Sequence, residues 1–482
     1  MEEPWNSLRA CSVQDFAFGR ARREHATLPN AKSCTKSLGS QTRKQNHYHV
    51  SLLLLAPPHT CIIASMEKSE TYRLKRLWLL MPGMAALVLT RVASANSPLT
   101  ETWFSRGVYP WLSSAWGFLP SLAPFSVAQW IVVAALAFCV GWLVFYLVAF
   151  VRGRGRRRFV AWRAVATMLA VLSVAYCIFA LMCGLNYYRH TFAEDAGFEL
   201  RESSTAELTA LCESLAISMN DSRAEVTSAA AGNEGDAAGG SIGNGAPQTQ
   251  GSLADASGNA ARTDADAAAI PNEYAQSRGG FWTYSRETVT NMEALAERYP
   301  ALARPLYSPP KPVLFSELMS YADIAGMYFP FTVESNINTD GPFFTIPATM
   351  GHEMAHQCGF MREDEANFIG YLACKDASDP LTRYSGYSLA YDYALSALVK
   401  ADRDTAVTVN DKLSEEVKAD RRARSEYLRQ FEGPVAEMSN AANNAYLKAN
   451  QQQDGTRSYG RMVDLLLAEA RQEAEQAQDP SA

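Results

Sequence analysis

Three runs of apolar residues, at about 74–93, 127–151 and 164–185, dominate the first 190 residues, and nothing comparable follows them. The second is apolar apart from Gln129 and long enough, as a helix, for the roughly 30 Å hydrocarbon layer of a bilayer. The third closes on Asn186-Tyr187-Tyr188-Arg189, an aromatic ending suited to a membrane–water interface. The first is shorter and contains Pro82 and Arg91. Because Ala93-Ser94-Ala95 follows it, it reads either as a first anchor or as a cleaved signal. The pattern predicts a membrane domain over 66–189 with three transmembrane helices.

Past residue 190 the apolar positions fall into shorter, periodic sets. Leu208, Leu211, Leu215 and Ile217 mark an amphipathic helix, and 286–298 reads as another. Between 228 and 270 large apolar side chains almost vanish. Such a stretch cannot bury enough surface to offset its ordering entropy, which predicts a disordered insertion within a domain spanning 190–482. The segment Gly326 to Asn338 is β-prone and ends in the turn signal Thr339-Asp340-Gly341, and Pro330 suits an edge strand. Residues 400–478 are charged and helix-forming, with Val463, Leu465, Leu466 and Leu467 placed to dock the last helix. Residues 1–65 share neither pattern. They read as a disordered extension or a mis-assigned start, since Met66 opens a more usual beginning for an inserted protein.

Charge adds a direction to this picture. The net charge of −6 gives no case for a nucleic-acid partner. The cluster Arg152, Arg154, Arg156, Arg157, Arg158 and Arg163 falls between the second and third runs, where a positive-inside loop belongs. Residues 94–126 and everything after Arg189 are then expected outside the cytoplasm, on a multi-pass protein of the cell membrane whose first partner is the lipid bilayer. Beyond the spans, Cys212, Cys358 and Cys374 are an odd number, so no complete disulfide framework is implied.

Candidate chemistry concentrates in residues 351–367. His352-Glu353-Met354-Ala355-His356 is the H-E-x-x-H signature of zinc hydrolases. On a helix, residues four apart share a face, so both imidazoles reach one ion, while Glu353 is placed as general base toward a water. Outside the cytoplasm the only other histidine is His190, at the end of a span, which leaves a carboxylate or a cysteine as third ligand. Cys358, two residues after His356, points to the wrong side of the helix. Gly359 is suited to end the helix with a left-handed residue, after which Glu363, Asp364 and Glu365 open a second helix.

The pattern Glu363-x-x-Ala366-Asn367 is similar to the Glu-x-x-Ala/Ser-Asp pattern of the gluzincin peptidases, with Asn in place of the acid. That resemblance implies Glu363 as the ligand, with Asn367 orienting a ligand histidine; Glu365 is the alternative ligand. The phenols of Tyr384 and Tyr387, within a run that includes Tyr391 and Tyr393, are candidate transition-state donors.

Several motifs together resemble one family. They are the Asn-Tyr-Tyr-Arg exit, Phe331-Thr-Val-Glu-Ser-Asn-Ile-Asn338, the metal motif with Glu363-Asp-Glu-Ala-Asn-Phe368, Tyr446-Leu-Lys-Ala-Asn450 and Ser458-Tyr-Gly-Arg461. The chain is similar, from about Arg73 to Ala468, to the uncharacterised bacterial membrane family known as domain of unknown function 3810. The resemblance implies a zinc-metallopeptidase-like membrane protein. The fold class expected is mainly α, with transmembrane helices plus an α-rich, zincin-like (α+β) extracytoplasmic domain carrying a small β-sheet. The expected activity is Zn2+-dependent hydrolysis of a peptide or protein substrate at the outer membrane surface. The alternative is a non-catalytic sensor or scaffold with a structural zinc.

Overall fold

The structure is a computed structural model and describes residues 78–153, 155–239, 264–450 and 461–478. The readings made for residues 1–65 and for the middle of the 228–270 insertion lie outside the described residues.

The chain begins with α1 (Met81–Ala95), whose Pro82 sits in the first turn, where a missing N–H costs no hydrogen bond. The connection between the first two apolar runs, for which the pattern predicts no element, is largely helical. A turn at Ser97–Leu99 leads into a π-helical stretch, Thr100–Val108, and then α2 (Tyr109–Ser121). Next come α3 (Val127–Arg152) and α4 (Arg157–Met182). The α1 region, α3 and α4 are long and apolar enough to cross a membrane. Leu136, Leu143 and Phe145 on α3 are exposed, which suits lipid rather than water and indicates membrane association. The third apolar helix starts earlier than its hydropathy suggests, so Arg157, Arg158 and Arg163 ride on its first turns. Long aliphatic stems let arginines lie along a helix while keeping their charge at the interface. Contact between α1 and α4 is close: Gly83 N donates to Ser173 Oγ at 2.9 Å.

The remainder is a helical body around a small sheet. It comprises α5 (Thr205–Gly239), α6 (Asp264–Ser277), α7 (Phe281–Arg298), β1 (Lys311–Pro312), α8 (Ser316–Tyr321), β2 (Gly326–Phe329) and β3 (Glu334–Ile337). There follow α9 (Ile346–Gln357), α10 (Glu363–Lys375), α11 (Pro380–Ala401), α12 (Arg403–Asp411), α13 (Glu415–Arg429), α14 (Pro434–Ala449) and α15 (Arg461–Gln478). Helices α9, α10, α11 and α5 pack in succession around a core that includes Met350, Met354, Phe360, Phe368, Ile369 and Leu398, all fully buried. On α5, Leu208, Leu211 and Leu215 face this core, but Ile217 is exposed, two residues out of helical phase with Leu215. Both flanks of the expected insertion are helical: α5 runs on to Gly239 and α6 starts at Asp264. Val463, Leu465, Leu466 and Leu467 on α15 are buried as the pattern required.

The sheet order is β1-β3-β2, with β1 parallel and β2 antiparallel to β3. The β-prone segment is thus a hairpin, and its first strand is an edge. Pro330 falls in the turn, where its missing donor breaks no ladder bond. Among the described residues all six cysteines are free, so no bridge forms.

The apolar helices are tied to this body at both points where chain leaves them. At the start of α3, Ser126 Oγ donates to Asn336 Oδ1 at 2.6 Å, and Val127 N and Ala128 N donate to the Glu334 carboxylate at 3.1 and 2.8 Å. Leu314 N donates to Gln129 Oε1 at 3.0 Å. A carboxylate over the first N–H groups of a helix satisfies its unpaired donors and its dipole. Glu334 also pairs with buried Lys311 at 2.6 Å. At the end of α4, Tyr328 Oη donates to Met182 O at 3.0 Å. Arg362 donates to the carbonyls of Tyr187, Arg189 and His190. Arg189, itself buried, pairs with Glu101 and Asp195 and donates to Cys358 O at 3.2 Å.

Candidate metal centre

The local sequence builds two helices that meet at a tight turn. Pro347 lies in the first turn of α9, where proline is pre-shaped for helix. The helix ends at Gly359, whose φ of +90° is the left-handed conformation that glycine tolerates. Its N–H reaches His356 O at 3.0 Å and Phe360 N reaches Ala355 O at 3.1 Å, the paired bonds of a Schellman turn. Remaining carbonyls at this end are taken by cations and a phenol: Arg304 and Tyr109 donate to Gln357 O, and Arg189 to Cys358 O. Two glycines allow α10 to fold back against α9. A Cβ on Gly370 would lie 2.9 Å from both Ala348 O and His352 N, and one on Gly351 would lie 3.0 Å from Gly370 Cα.

This crossing brings His352, His356 and Glu363 together, with one potential ligand atom from each inside 4.8 Å. The Nε2 atoms of the two histidines are 3.1 Å apart. Glu363 Oε2 is 3.4 Å from His352 Nε2, and its Oε1 is 3.8 Å from His356 Nε2. The three side chains keep 10–18% of their surface, so the cluster is not sealed. Both Nδ1 atoms face acceptors: Asn367 Oδ1 at 2.9 Å for His352, and Phe360 O at 2.7 Å for His356. With Nδ1–H donating, each Nε2 turns its lone pair toward the cluster. Asn367 stands one turn after Glu363 on the same face of α10, and its amide donates to Tyr393 Oη at 3.1 Å.

Electrostatics divide the cluster. Burial pulls His352 down, but the Glu363 carboxylate and Glu353 outweigh it and hold the imidazolium up at about 9. Burial takes His356 down to about 4. One proton therefore sits on the pair near neutral pH, and a metal ion would displace it. Glu353 is buried under β2, and burial pushes its carboxyl up to about 7 against the pull of His352. Its Oε2 finds no hydrogen-bond partner among the described residues. Gly326 makes room for it, since a Cβ there would lie 2.5 Å from Glu353 Oε1.

Three expected participants are placed elsewhere. Glu365 is buried and accepts from Phe192 N at 2.9 Å and from Arg362 at 3.0 Å, on the side of α10 away from Glu363. Two residues is about 200° of helix, which accounts for the difference. Tyr384 is fully buried and donates to Asp420 Oδ2 at 2.9 Å, while Tyr387 donates to Lys375 O at 3.3 Å. Tyr393, the phenol on α11 that reaches Asn367, lies six and nine residues further along. At 1.5 Å per residue, those offsets set Tyr387 and Tyr384 back by roughly 9 and 13 Å. Neither phenol is brought to the histidines. The aromatic found there instead is Tyr328, whose ring centroid lies 6.2 Å from that of His356. Its period-2 position in a β-prone segment put it on one face of a strand, but nothing local showed that α9 lies beneath.

Fold and site together define a mainly helical protein with membrane-spanning-length helices and a His–His–Glu cluster on two crossed helices. The chain belongs to the family of proteins of unknown function DUF3810, which matches residues 104–467. No curated protein and no solved structure matches it.

Proposed function

We propose that the chain is a membrane-anchored zinc peptidase that hydrolyses peptide bonds outside the cytoplasm. The observation that carries this reading is the cluster geometry. Tetrahedral zinc, with bonds of about 2.0–2.1 Å to N and O, needs ligand atoms about 3.3 Å apart. The two histidine Nε2 atoms stand 3.1 Å apart, and Glu363 offers Oε2 at 3.4 Å from His352 and Oε1 at 3.8 Å from His356. Acceptors at both Nδ1 atoms favour the Nε2-ligating tautomer once the shared proton is displaced. Three protein donors leave a fourth position open, as in catalytic rather than structural zinc sites. Placement outside the cytoplasm is supported by the arginines at the α3–α4 connection.

When bound, zinc would supply Lewis acidity that activates water at neutral pH. The chain's own chemistry then rests on Glu353. Its unpaired Oε2 takes a proton from the attacking water, the new C–O bond forms at the scissile carbonyl, and the same carboxyl delivers the proton to the departing amine as the C–N bond breaks. A carboxyl held near neutrality by burial is suited to both halves of that transfer. Strand β2 supports substrate alignment. Ala325 and Phe329 direct their carbonyls to the β3 side, so Gly326 and Tyr328 turn their backbone groups to the outer edge, where the Tyr328 N–H meets the Glu353 carboxylate.

The test is Glu353→Gln in the full chain, with metal content and cleavage of a peptide library measured together. Zinc is expected to stay near one per chain while cleavage falls by at least a thousandfold. Cleavage at the unaltered rate would overturn the reading.

A further inference from the structure

We propose that the substrate is the extended stretch of another membrane protein that emerges directly from the bilayer, rather than a free peptide in solution. This deepens the peptidase reading and rests on it. The argument is positional. The edge strand that faces the cluster is pinned to the ends of both long apolar helices. Met327 O accepts from Asn336 Nδ2 at 3.1 Å, and Asn336 Oδ1 accepts from Ser126 Oγ, the cap of α3, at 2.6 Å. Two hydrogen bonds therefore separate the β2 backbone from the first turn of a helix whose next residue is already apolar. On the other side, Tyr328 Oη bonds Met182 O, the last residue of α4.

The metal helices are held equally low. Met361 Sδ lies 3.6 Å from Cys183 Sγ, one residue beyond α4, and Arg362 grips the carbonyls of Tyr187, Arg189 and His190. The cluster thus stands at the level where the apolar helices end, not at the far end of the domain.

The surface beside it matches that level. Leu314, Phe315, Leu318, Tyr321 and Met327 are exposed by 71, 43, 65, 44 and 41%. Leu314 N is bonded to Gln129 in the first turn of α3, so this apolar ledge starts at the membrane surface and rises to β2. Exposed apolar and aromatic side chains next to helix ends suit the interfacial layer, where one side is oily and the other wet. A peptide paired with β2 would lie beside the exposed Met327, on a strand tied to the ends of α3 and α4. Soluble peptides must leave water to reach it. A segment continuous with a neighbouring span is already there, at the high effective concentration that tethering confers.

The experiment co-reconstitutes the full chain, loaded with zinc, in lipid nanodiscs with single-span reporters. A cleavable unstructured sequence, chosen from the peptide library, sits either directly at the end of the span or beyond a rigid helical spacer of about 30 Å, twenty residues of Ala, Glu and Lys. The same sequence is also supplied as a free peptide, and the Glu353→Gln chain is run in parallel. Cleavage of the span-proximal reporter at least tenfold faster than of the spaced one is expected, with the Glu353→Gln chain inactive on both. Equal rates on proximal and spaced reporters would overturn this proposal and leave the peptidase reading standing. No cleavage of any of the three by the zinc-loaded chain would overturn both.

Discussion

The start of α3 and the end of α4 meet the same body in different ways. At α3 the contact centres on a carboxylate: Glu334 reaches out from the central strand, covers two helix N–H groups and neutralises Lys311, beside the Ser126–Asn336 and Leu314–Gln129 bonds. At α4 the contact is made by guanidinium groups on carbonyls. Arg362 and Arg189 collect the backbone oxygens around Tyr187 and Cys358, and Glu101 and Asp195 balance Arg189. Each mode follows from the helix polarity it meets, donors at a start and acceptors at an end. The consequence differs too. The sheet is tied to α3, while the metal helices are tied to α4, and Tyr328 crosses between them.

Breaking either contact should be costly, and the two losses should be told apart by the metal. Glu334→Ala leaves Lys311 buried without its ion-pair partner and is expected to destabilise by about 3–5 kcal/mol; Arg189→Ala leaves Glu101 paired with Arg106 alone and is expected to cost less. Thermal unfolding in detergent measures both. Zinc content of the folded fraction should persist in Glu334→Ala and fall in Arg189→Ala, which loosens the end of α9. Equal zinc loss in both would erase the distinction.

A smaller effect is expected inside the metal half. Gly370→Ala places a methyl 2.9 Å from the α9 backbone, at a cost of about 1–3 kcal/mol, and should lower zinc occupancy by parting the helices. Equilibrium dialysis of the purified variant reads this directly. Asn367→Ala keeps the helices in place but frees His352 Nδ1, for an expected 10- to 100-fold loss of zinc affinity with little change in melting temperature.

Acid gives the gentlest probe. Burial alone would raise the Glu101 carboxyl, but Arg189 and Arg106 outweigh it and hold it below its ordinary value. A carboxyl lowered in the folded state contributes fully above its unfolded pKa, and the contribution is lost as pH falls through the folded one. Melting temperature should therefore decline below about pH 4.5, and the decline should be shallower in Glu101→Gln, whose baseline is lower. A curve of unchanged slope in that variant would remove Glu101 from the account.

The grouping of His352, His356 and Glu363 was legible because it is local: one helix period and one glycine turn place all three within twelve residues. Asn367 was reached through its resemblance to the gluzincin pattern, and its Oδ1 lies 2.9 Å from His352 Nδ1. Tyr384 and Tyr387 were misread because the direction of α11 against α10 is set by packing of side chains far apart in sequence, around Phe344, Tyr371 and Asp420. The helices between the first two apolar runs were not legible because their apolar positions, Trp103, Trp111, Phe118 and Leu119, face outward rather than into a core, so the usual amphipathic signal is inverted. The apolar runs themselves were plain, since length and composition suffice. The pinning of their ends was not, because Glu334, Arg189 and Arg362 look like ordinary surface charges until their partners are known.

Glu334 also imposes an order of events on synthesis. It caps α3 across a sequence separation of 207 residues, so the first N–H groups of that helix are made long before their acceptor exists. Until the sheet forms, those donors must be met by water or lipid headgroups. The apolar helix can enter the bilayer early, but its upper end acquires its final register only when the hairpin arrives. The upper end of that helix is therefore completed by a strand made some 207 residues later, so its cap depends on the body it carries.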